Sequence, residues 1–179
     1  MTSKTRDRQT LLLTGVPGIG KTTLIRAVAA NVDNRRIRGF ITDEIRIKRR
    51  RVGFRLETFD GQRTTLAHTN IRSPHRIGKY GVDIAALDRV VDAALSPDSQ
   101  IDVYLIDEIG RMECFSRRFM DALTKLLDSD RVAVATIHRS APGFIQQVRE
   151  RSDAELWEVT RQNRDEMCGA ILAWLDDRR

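Results

Sequence analysis

A glycine-rich segment at positions 15–22, GVPGIGKT, constrains the fold more than any other part of the chain. It satisfies the pattern G-x-x-x-x-G-K-[ST] at every fixed position. An apolar run, Thr10–Thr14, precedes it, and apolar residues at helical spacing follow it at Leu24, Ile25, Val28 and Ala29. Because a buried strand that turns through glycines into a helix lets backbone N–H groups surround a phosphate chain, the segment predicts a phosphate-binding loop.

Each residue type in this loop has a chemical role. We predict that nine consecutive residues bind nucleotide: Gly15, Val16, Pro17, Gly18, Ile19, Gly20, Lys21, Thr22 and Thr23. The Lys21 ammonium is predicted to reach the terminal phosphates and to act in catalysis, and the Thr22 hydroxyl to be a ligand of Mg²⁺. The helix that begins at Lys21 adds its positive N-terminal end. The alternative is a plain glycine turn between a strand and a helix.

Two adjacent carboxylates, Asp107 and Glu108, follow the apolar run Val103–Ile106. In enzymes with such a phosphate-binding loop, a second strand ends in an acid that anchors Mg²⁺, and Asp107 fits that position. A hydrolase also needs a group that orients or deprotonates water, and we predict that Glu108 is this catalytic residue. The alternative for Glu108 is a helix cap or a solvated loop. Glu113 has no assigned role, and a structural hydrogen bond to a neighbouring loop is as good an explanation.

The order of patterns predicts an α/β fold: a mostly parallel sheet that carries the P-loop and is flanked by helices. Strands are predicted at 10–14, 101–106, 131–137 and 156–159. Helices are predicted after the phosphate loop, at 84–95, across Phe119–Leu127, at 143–150 and at the end of the chain. Period-two alternation between Ile41 and Leu56, with a turn at Asp60-Gly61, predicts an antiparallel β-hairpin insertion after the first helix. Residues 69–82 are expected to be a loop.

Composition narrows the class of protein. The 179 residues suit a single domain, 1–179, with residues 1–8 flexible. Lys and Arg outnumber Asp and Glu by 31 to 25, which favours anionic partners. The two cysteines form no disulfide framework, and no apolar run approaches the length of a membrane span. We therefore expect a cytoplasmic protein, and a monomer is slightly favoured.

Several stretches in order resemble one known family, the P-loop nucleoside-triphosphatases first described in thermophiles, which have animal, cancer-related members. The stretches are LLLTGVPGIGKTTLI, GFITDEIR with RVGFRLETFDG, KYGVD, DVYLIDEIGRMECFS and TRQNRD, which together span residues 11–165. The resemblance implies Mg²⁺-dependent hydrolysis of nucleoside triphosphates such as ATP and GTP to the diphosphate and phosphate, with broad base specificity. It also implies a P-loop NTPase fold with a RecA-like arrangement of the sheet. This chain departs from the family at the basic turn Lys48–Arg51 and at Arg111.

The resemblance also directs attention to further residues. Arg164, in the matching Asn163-Arg164, is predicted to be a catalytic arginine that stabilises transition-state charge, although it could be an ordinary first-turn residue of the last helix. Thr136 and His138, at the end of a strand, could sense the terminal phosphate or be structural. Arg46 could face the nucleotide or pair with Glu44. Tyr80 could stack on a base.

Two other functions remain open from the sequence alone. A small P-loop kinase for nucleosides or nucleotides would share the size and basic character of the chain. A nucleic-acid-associated ATPase switch would use the basic runs 35–38 and 46–51. Nucleic acid is an admissible partner but not a favoured one, because the basic runs lack the interleaved aromatic residues of a stacking platform.

Overall fold

The computed structural model describes residues 8–178, so the predicted flexible segment 1–8 lies outside the described residues apart from Arg8. Nine strands form one sheet in the order β5-β6-β4-β3-β2-β7-β8-β1-β9. Their bounds are β1 Thr10–Thr14, β2 Ile37–Ile47, β3 Arg50–Thr58, β4 Arg63–His68, β5 Arg76–Ile77, β6 Tyr80–Val82, β7 Val103–Ile109, β8 Ala133–Ile137 and β9 Ala154–Glu158.

Half of this sheet is parallel and half is antiparallel. The neighbours β2-β7-β8-β1-β9 pair in parallel, and β2, β3, β4, β6 and β5 pair in antiparallel fashion. The two halves share β2, whose first part pairs with β7 and whose remainder pairs with β3. The predicted α/β fold with an antiparallel insertion is confirmed, and the insertion continues the parallel sheet.

Helices cover both faces of the sheet. The helices are α1 Lys21–Asn31, α2 Ile84–Leu95, α3 Arg117–Leu127, α4 Phe144–Arg149 and α5 Arg164–Asp176. Alternation along β1 separates two cores, because Leu11 and Leu13 pack with α1 and α5 while Leu12 packs with α2, α3 and α4. The phosphate loop therefore leads from the sheet to the α1/α5 face.

Two boundaries differ from the sequence prediction. Residues 69–82 are not all loop, because β5 and β6 extend the antiparallel half of the sheet. Strand β7 does not stop before the acids but continues to Ile109, with its register to β8 shifting between Ile106 and Ile109. Asp107 and Glu108 therefore belong to a strand, and the peptide bond between them is cis.

The arginines of the first basic run, residues 35–38, pair with other residues of the chain. Arg35 donates to the carbonyl of Leu175 (2.8 Å), and its side chain is only 9% exposed. Arg36 and Arg38 pair with Asp102 and Asp98. The three arginines of the run 35–38 are therefore paired with other residues of the chain. No helix within residues 8–178 has the length and apolar character needed to cross a membrane.

Candidate functional site

The glycine-rich loop, residues 15–20, joins the carboxyl end of β1 to α1 as predicted. A Cβ at Gly15 would lie 2.7 Å from the carbonyl oxygen of Val159, so only glycine fits there. Gly20 has φ +110° at the N-cap of α1, a backbone conformation that side chains disfavour. The two glycines therefore allow the loop to pass close to the segment after β9 and to turn sharply into the helix.

The N-terminus of α1 is left without a negative charge of its own. Its first turn carries Lys21 and no acidic residue, whereas α5 begins with Asp165 and Glu166. A cation at this end of a helix opposes the helix dipole, so the arrangement favours an external anion over helix stability. The Lys21 Nζ donates to the carbonyls of Gly15 (3.1 Å) and Val16 (3.4 Å), which holds the ammonium over the loop.

Asp107 is a buried carboxylate held by threonines. Its Oδ1 accepts a hydrogen bond from Thr136 (2.7 Å), and Thr42 donates to its backbone carbonyl (2.6 Å). Burial raises the pKa of Asp107, while the Thr22 hydroxyl, Thr136 and Lys21 act in the opposite direction. The Thr22 hydroxyl lies near the carboxylate, but its geometry falls short of a regular hydrogen bond, and Oδ2 has no partner within residues 8–178. An unpartnered buried carboxylate oxygen beside a hydroxyl is a suitable pair of ligands for Mg²⁺.

Glu108 lies beside the same loop but in a different environment. Its carboxylate is about 3.5 Å from the place where a Cβ on Gly110 would be, and no hydrogen bond to it is found in the described part of the chain. Burial and the Asp107 charge raise the pKa of Glu108, and the nearby Lys21 ammonium lowers it. A carboxylate that is free of protein donors and close to Lys21 can accept a proton from a water molecule.

Glu113 is buried behind this pair. It begins a short 3-10 turn, Glu113–Phe115, and is 4% exposed. Its Oε2 lies 2.8 Å from the Cβ position of Gly110, so both glutamate side chains approach the same glycine. Burial, and then the charges of Glu108 and Asp107, raise the pKa of Glu113 to about 8, against the opposing effect of backbone N–H groups. Glu113 is therefore a buried, neutral acid at neutral pH.

Replacing Glu113 by Gln should make stability less dependent on pH. The folded chain keeps the Glu113 proton up to about pH 8, whereas the unfolded chain releases it near pH 4.5. The folded state therefore binds more protons between these values, and this contribution to stability is present at low pH and is lost as the pH rises through the window. The loss is roughly 1.4 kcal/mol per pH unit. Urea unfolding of both proteins in EDTA between pH 5 and 9 measures it.

In that experiment the advantage of Glu113→Gln over the wild type should grow with pH, because glutamine resembles the protonated acid at every pH. Glu150→Gln, a change at an exposed position, is the control and should follow the wild-type curve. Parallel curves for the wild type and Glu113→Gln would contradict a proton on Glu113.

Arg164 follows the segment of chain that passes beside the phosphate loop, but its side chain is exposed. It begins α5, after a turn in which the Val159 N–H donates to the carbonyl of Thr14. Its Nε is 3.5 Å from Asp165, and the side chain is 52% exposed. No contact of Arg164 with the other predicted site residues is found in residues 8–178, and its catalytic role stays a prediction.

The structure shows the surroundings of three residues for which the sequence left alternative roles open. Arg46 pairs with Glu44 (Nε to Oε2, 2.8 Å), so the structural alternative holds. Tyr80 is 7% exposed and packs edge-on against Phe54, so the suggestion that Tyr80 stacks on a base is wrong. His138 is partly buried, and its pKa is lowered by burial and by three cations, Arg111, Lys21 and Arg149.

Sequence reasoning gave no role to two of the groups that define this site. Thr42, within the GFITDEIR stretch, has no function that the sequence predicts, although its hydroxyl donates to the Asp107 carbonyl. Arg111 was a departure without a role, yet its charge acts on His138 together with Lys21. A polar residue within a family motif was the available signal for Thr42, and none existed for Arg111.

Comparison with known proteins now adds to this geometry. A family model described as NTPase matches residues 10–172. The nucleoside-triphosphatase THEP1 of Thermotoga sp. (strain RQ2) is 39% identical over 166 residues, which cover 92% of this chain and 94% of that protein. The match confirms the resemblance inferred from the motifs, and with it the prediction of an enzyme of the nucleoside-triphosphatase class.

Two solved structures are similar over nearly the whole chain. The crystal structure of THEP1 from the hyperthermophile Aquifex aeolicus has a TM-score of 0.84 at 32% identity and covers 93% of this chain and 98% of its own. The solution structure of a human cancer-related nucleoside triphosphatase has a TM-score of 0.82 at 30% identity and covers 96% and 99%. By its family model, its relatives and its fold, this chain belongs to the NTPase family.

Proposed function

We propose that the chain hydrolyses nucleoside 5′-triphosphates to the diphosphate and inorganic phosphate in a reaction that requires Mg²⁺. One observation carries the proposal: Asp107 and Glu108, at the end of β7, both lie within electrostatic range of Lys21 in the phosphate loop. One acid is buried and braced by Thr136, and the other is free of protein hydrogen bonds in residues 8–178. The two acids can therefore have different roles, with Asp107 binding a cation and Glu108 accepting a proton.

Thr22 and Asp107 would hold Mg²⁺, and a bound Mg²⁺ would neutralise phosphate charge and polarise the terminal phosphoryl group. The backbone N–H groups of the loop bind the phosphate chain, and the Lys21 ammonium stabilises charge on it. Glu108 accepts a proton from water as the water oxygen bonds to the γ-phosphorus. The bond between that phosphorus and the bridging oxygen breaks, which gives the diphosphate and phosphate.

The proposal includes broad base specificity. The residues assigned to nucleotide binding are all assigned to the phosphate groups, which every nucleoside triphosphate has. The aromatic residue suggested for base stacking, Tyr80, is buried among Phe54 and Arg51. We therefore expect kcat/KM values for ATP, GTP, CTP and UTP that lie within roughly tenfold of one another, a difference of about 1.4 kcal/mol.

Phosphate release from each nucleotide, with Mg²⁺ and with EDTA, tests the proposal. Release should need Mg²⁺ and no acceptor molecule. Adding nucleosides or nucleoside monophosphates should leave the yield of inorganic phosphate unchanged. Transfer of the γ-phosphate to such an acceptor would instead favour the kinase, and a large salt-sensitive stimulation by RNA or DNA would favour the nucleic-acid-associated switch.

Asp107→Asn should raise the Mg²⁺ concentration for half-maximal rate by about 10-fold or more, because asparagine keeps the shape but loses the charge that binds the cation. A Mg²⁺ titration of the initial rate at saturating ATP measures this. Asp121→Asn, at an exposed position on α3, is the matched control and should not shift the titration. An unchanged Mg²⁺ requirement in Asp107→Asn would remove Asp107 from the metal site.

A further inference from the structure

A cleft of about 610 Å³ opens on the α2/α3/α4 face of the sheet, opposite the face that α1 covers. It lies at the carboxyl ends of β1, β8 and β9, and its lining residues are Thr14, Arg139, Ser140, Arg149, Leu156 and Glu158. The cleft exists because α4 has only six residues and leaves the edge strand β9 partly uncovered. Leu156 is accordingly 42% exposed. The volume of the cleft is in the range of small-molecule sites.

Two of the residues that line this cleft carry a buried polar atom without a hydrogen-bond partner in residues 8–178. Among residues 8–178, the Thr14 Oγ1 and the Arg149 Nε are both inaccessible to solvent and make no hydrogen bond. Buried polar groups are nearly always satisfied, because leaving them unpaired is costly. A ligand that enters the cleft far enough to reach these two atoms would have to accept hydrogen bonds, since a guanidinium Nε can only donate.

The charge of the cleft selects an anion. Arg139 and Arg149 line it together with one carboxylate, Glu158, which contacts Arg139 loosely at 3.7 Å on the exposed rim. Arg149 has no ion pair in the described part of the chain, and its charge acts on His138 together with that of Lys21. A guanidinium group binds the oxygens of a phosphate through paired N–H donors. The residues that line the cleft also include Thr14 and Ser140, whose hydroxyl groups can donate hydrogen bonds.

We propose that this cleft is a second phosphate site, separate from the phosphate-binding loop, which binds the phosphate group of a small ligand through Arg149 and Thr14. The exposed Leu156 and the volume of the cleft leave room for an organic group attached to that phosphate. Product phosphate and a phosphorylated small molecule share the required chemistry. The proposal does not require hydrolysis, so it can fail or hold independently of the proposed function.

The test follows the Arg149 Nε–Hε signal by NMR while inorganic phosphate, or phenyl phosphate, is added at constant ionic strength. The phosphate loop is filled beforehand with Mg²⁺ and a non-hydrolysable nucleoside triphosphate analogue. We expect a saturable shift in the millimolar range. Tighter binding of phenyl phosphate would indicate a phosphorylated small molecule as the ligand, and tighter binding of inorganic phosphate would indicate the product.

Arg149→Gln should weaken this binding at least about tenfold, as read from the remaining amide signals of the cleft. Arg117→Gln, at an 89% exposed arginine on α3, is the control and should bind as the wild type does. No saturable shift, or equal affinities in the wild type and Arg149→Gln, would overturn the proposal. So would a shift that appears only without the analogue, because the phosphate loop would then be the site.

A second variant guards against a folding artefact. Thr14→Val replaces the unpartnered hydroxyl by a methyl group of the same size. Without phosphate, this variant should melt at a higher temperature than the wild type, because it no longer buries an unsatisfied polar atom. With phosphate, its stabilisation should be smaller than that of the wild type. A lower melting temperature in phosphate-free buffer would show that the hydroxyl has a partner inside the protein and would count against the site.

Discussion

Glu108→Gln is expected to keep the binding of Mg²⁺ and nucleoside triphosphate while lowering turnover by about 10² or more. Glutamine has the shape of glutamate but cannot accept the proton of the attacking water. Affinity should be equal to or higher than that of the wild type, because the Glu108 charge stands near Lys21 and repels a bound phosphate chain. The measurements are single-turnover phosphate release and equilibrium binding of a fluorescent nucleotide analogue.

The two readouts separate catalysis from folding and binding. Glu150→Gln makes the same chemical change at an exposed position and should leave both readouts unchanged. If Glu108→Gln turned over at the wild-type rate, Glu108 would have no catalytic role and the source of the base would lie elsewhere. If the variant lost affinity together with turnover, its effect would be on the architecture of the site.

The sequence predicted those parts of the site that are close together along the chain. The phosphate loop is one continuous segment between a strand and a helix, so the glycines, Lys21 and Thr22 could be assigned from spacing alone. Asp107 and Glu108 are neighbours at the end of an apolar run. Local patterns of this kind specify backbone geometry and strand ends, which in a parallel sheet meet at one edge.

Contacts between strands could not be predicted in the same way. The hydrogen bond from Thr136 to Asp107 joins residues 29 positions apart, and that from Thr42 joins residues 65 positions apart. Both depend on the order of β2, β7 and β8 in the sheet and on the register shift in β7, for which the chain carries no local signal. Strands β5 and β6 have only two and three residues, too few for alternation to be recognised.

The positions of basic residues in the sequence were the least reliable basis for predicting binding surfaces. The run 35–38 looked available to a nucleic acid, but its arginines are paired with residues that lie 60 or more positions away, such as Asp98, Asp102 and Asp176. In contrast, nothing in the sequence distinguishes Arg149, which is an ordinary basic residue in the last turn of a short helix. Its buried Nε is what distinguishes it, and burial follows from the packing of α4 on the sheet.

Lys21→Ala is expected to weaken nucleoside triphosphate binding at least about tenfold, since charge-assisted hydrogen bonds contribute about 1.5–3 kcal/mol each. It should also lower turnover by about 10² to 10³, because a donor that stabilises transition-state charge is lost. Folding should be maintained, since Lys21 is a cation in the first turn of α1, where it opposes the helix dipole by about 0.3–1 kcal/mol. Titration of a fluorescent nucleotide and thermal unfolding measure the two effects separately.

The sign of the change in stability distinguishes a binding role for Lys21 from a role in holding the loop. A binding residue that is unfavourable for its own helix should leave the protein equally or slightly more stable when removed, despite the loss of two hydrogen bonds to the loop carbonyls. Lys125→Ala, in the last turn of α3, removes a lysine from the favourable end of a helix and should slightly lower stability without affecting binding. If Lys21→Ala instead unfolded at a much lower temperature and bound nucleotide normally, the ammonium would serve to hold the loop, and the phosphates would be bound by the backbone N–H groups and the helix terminus alone.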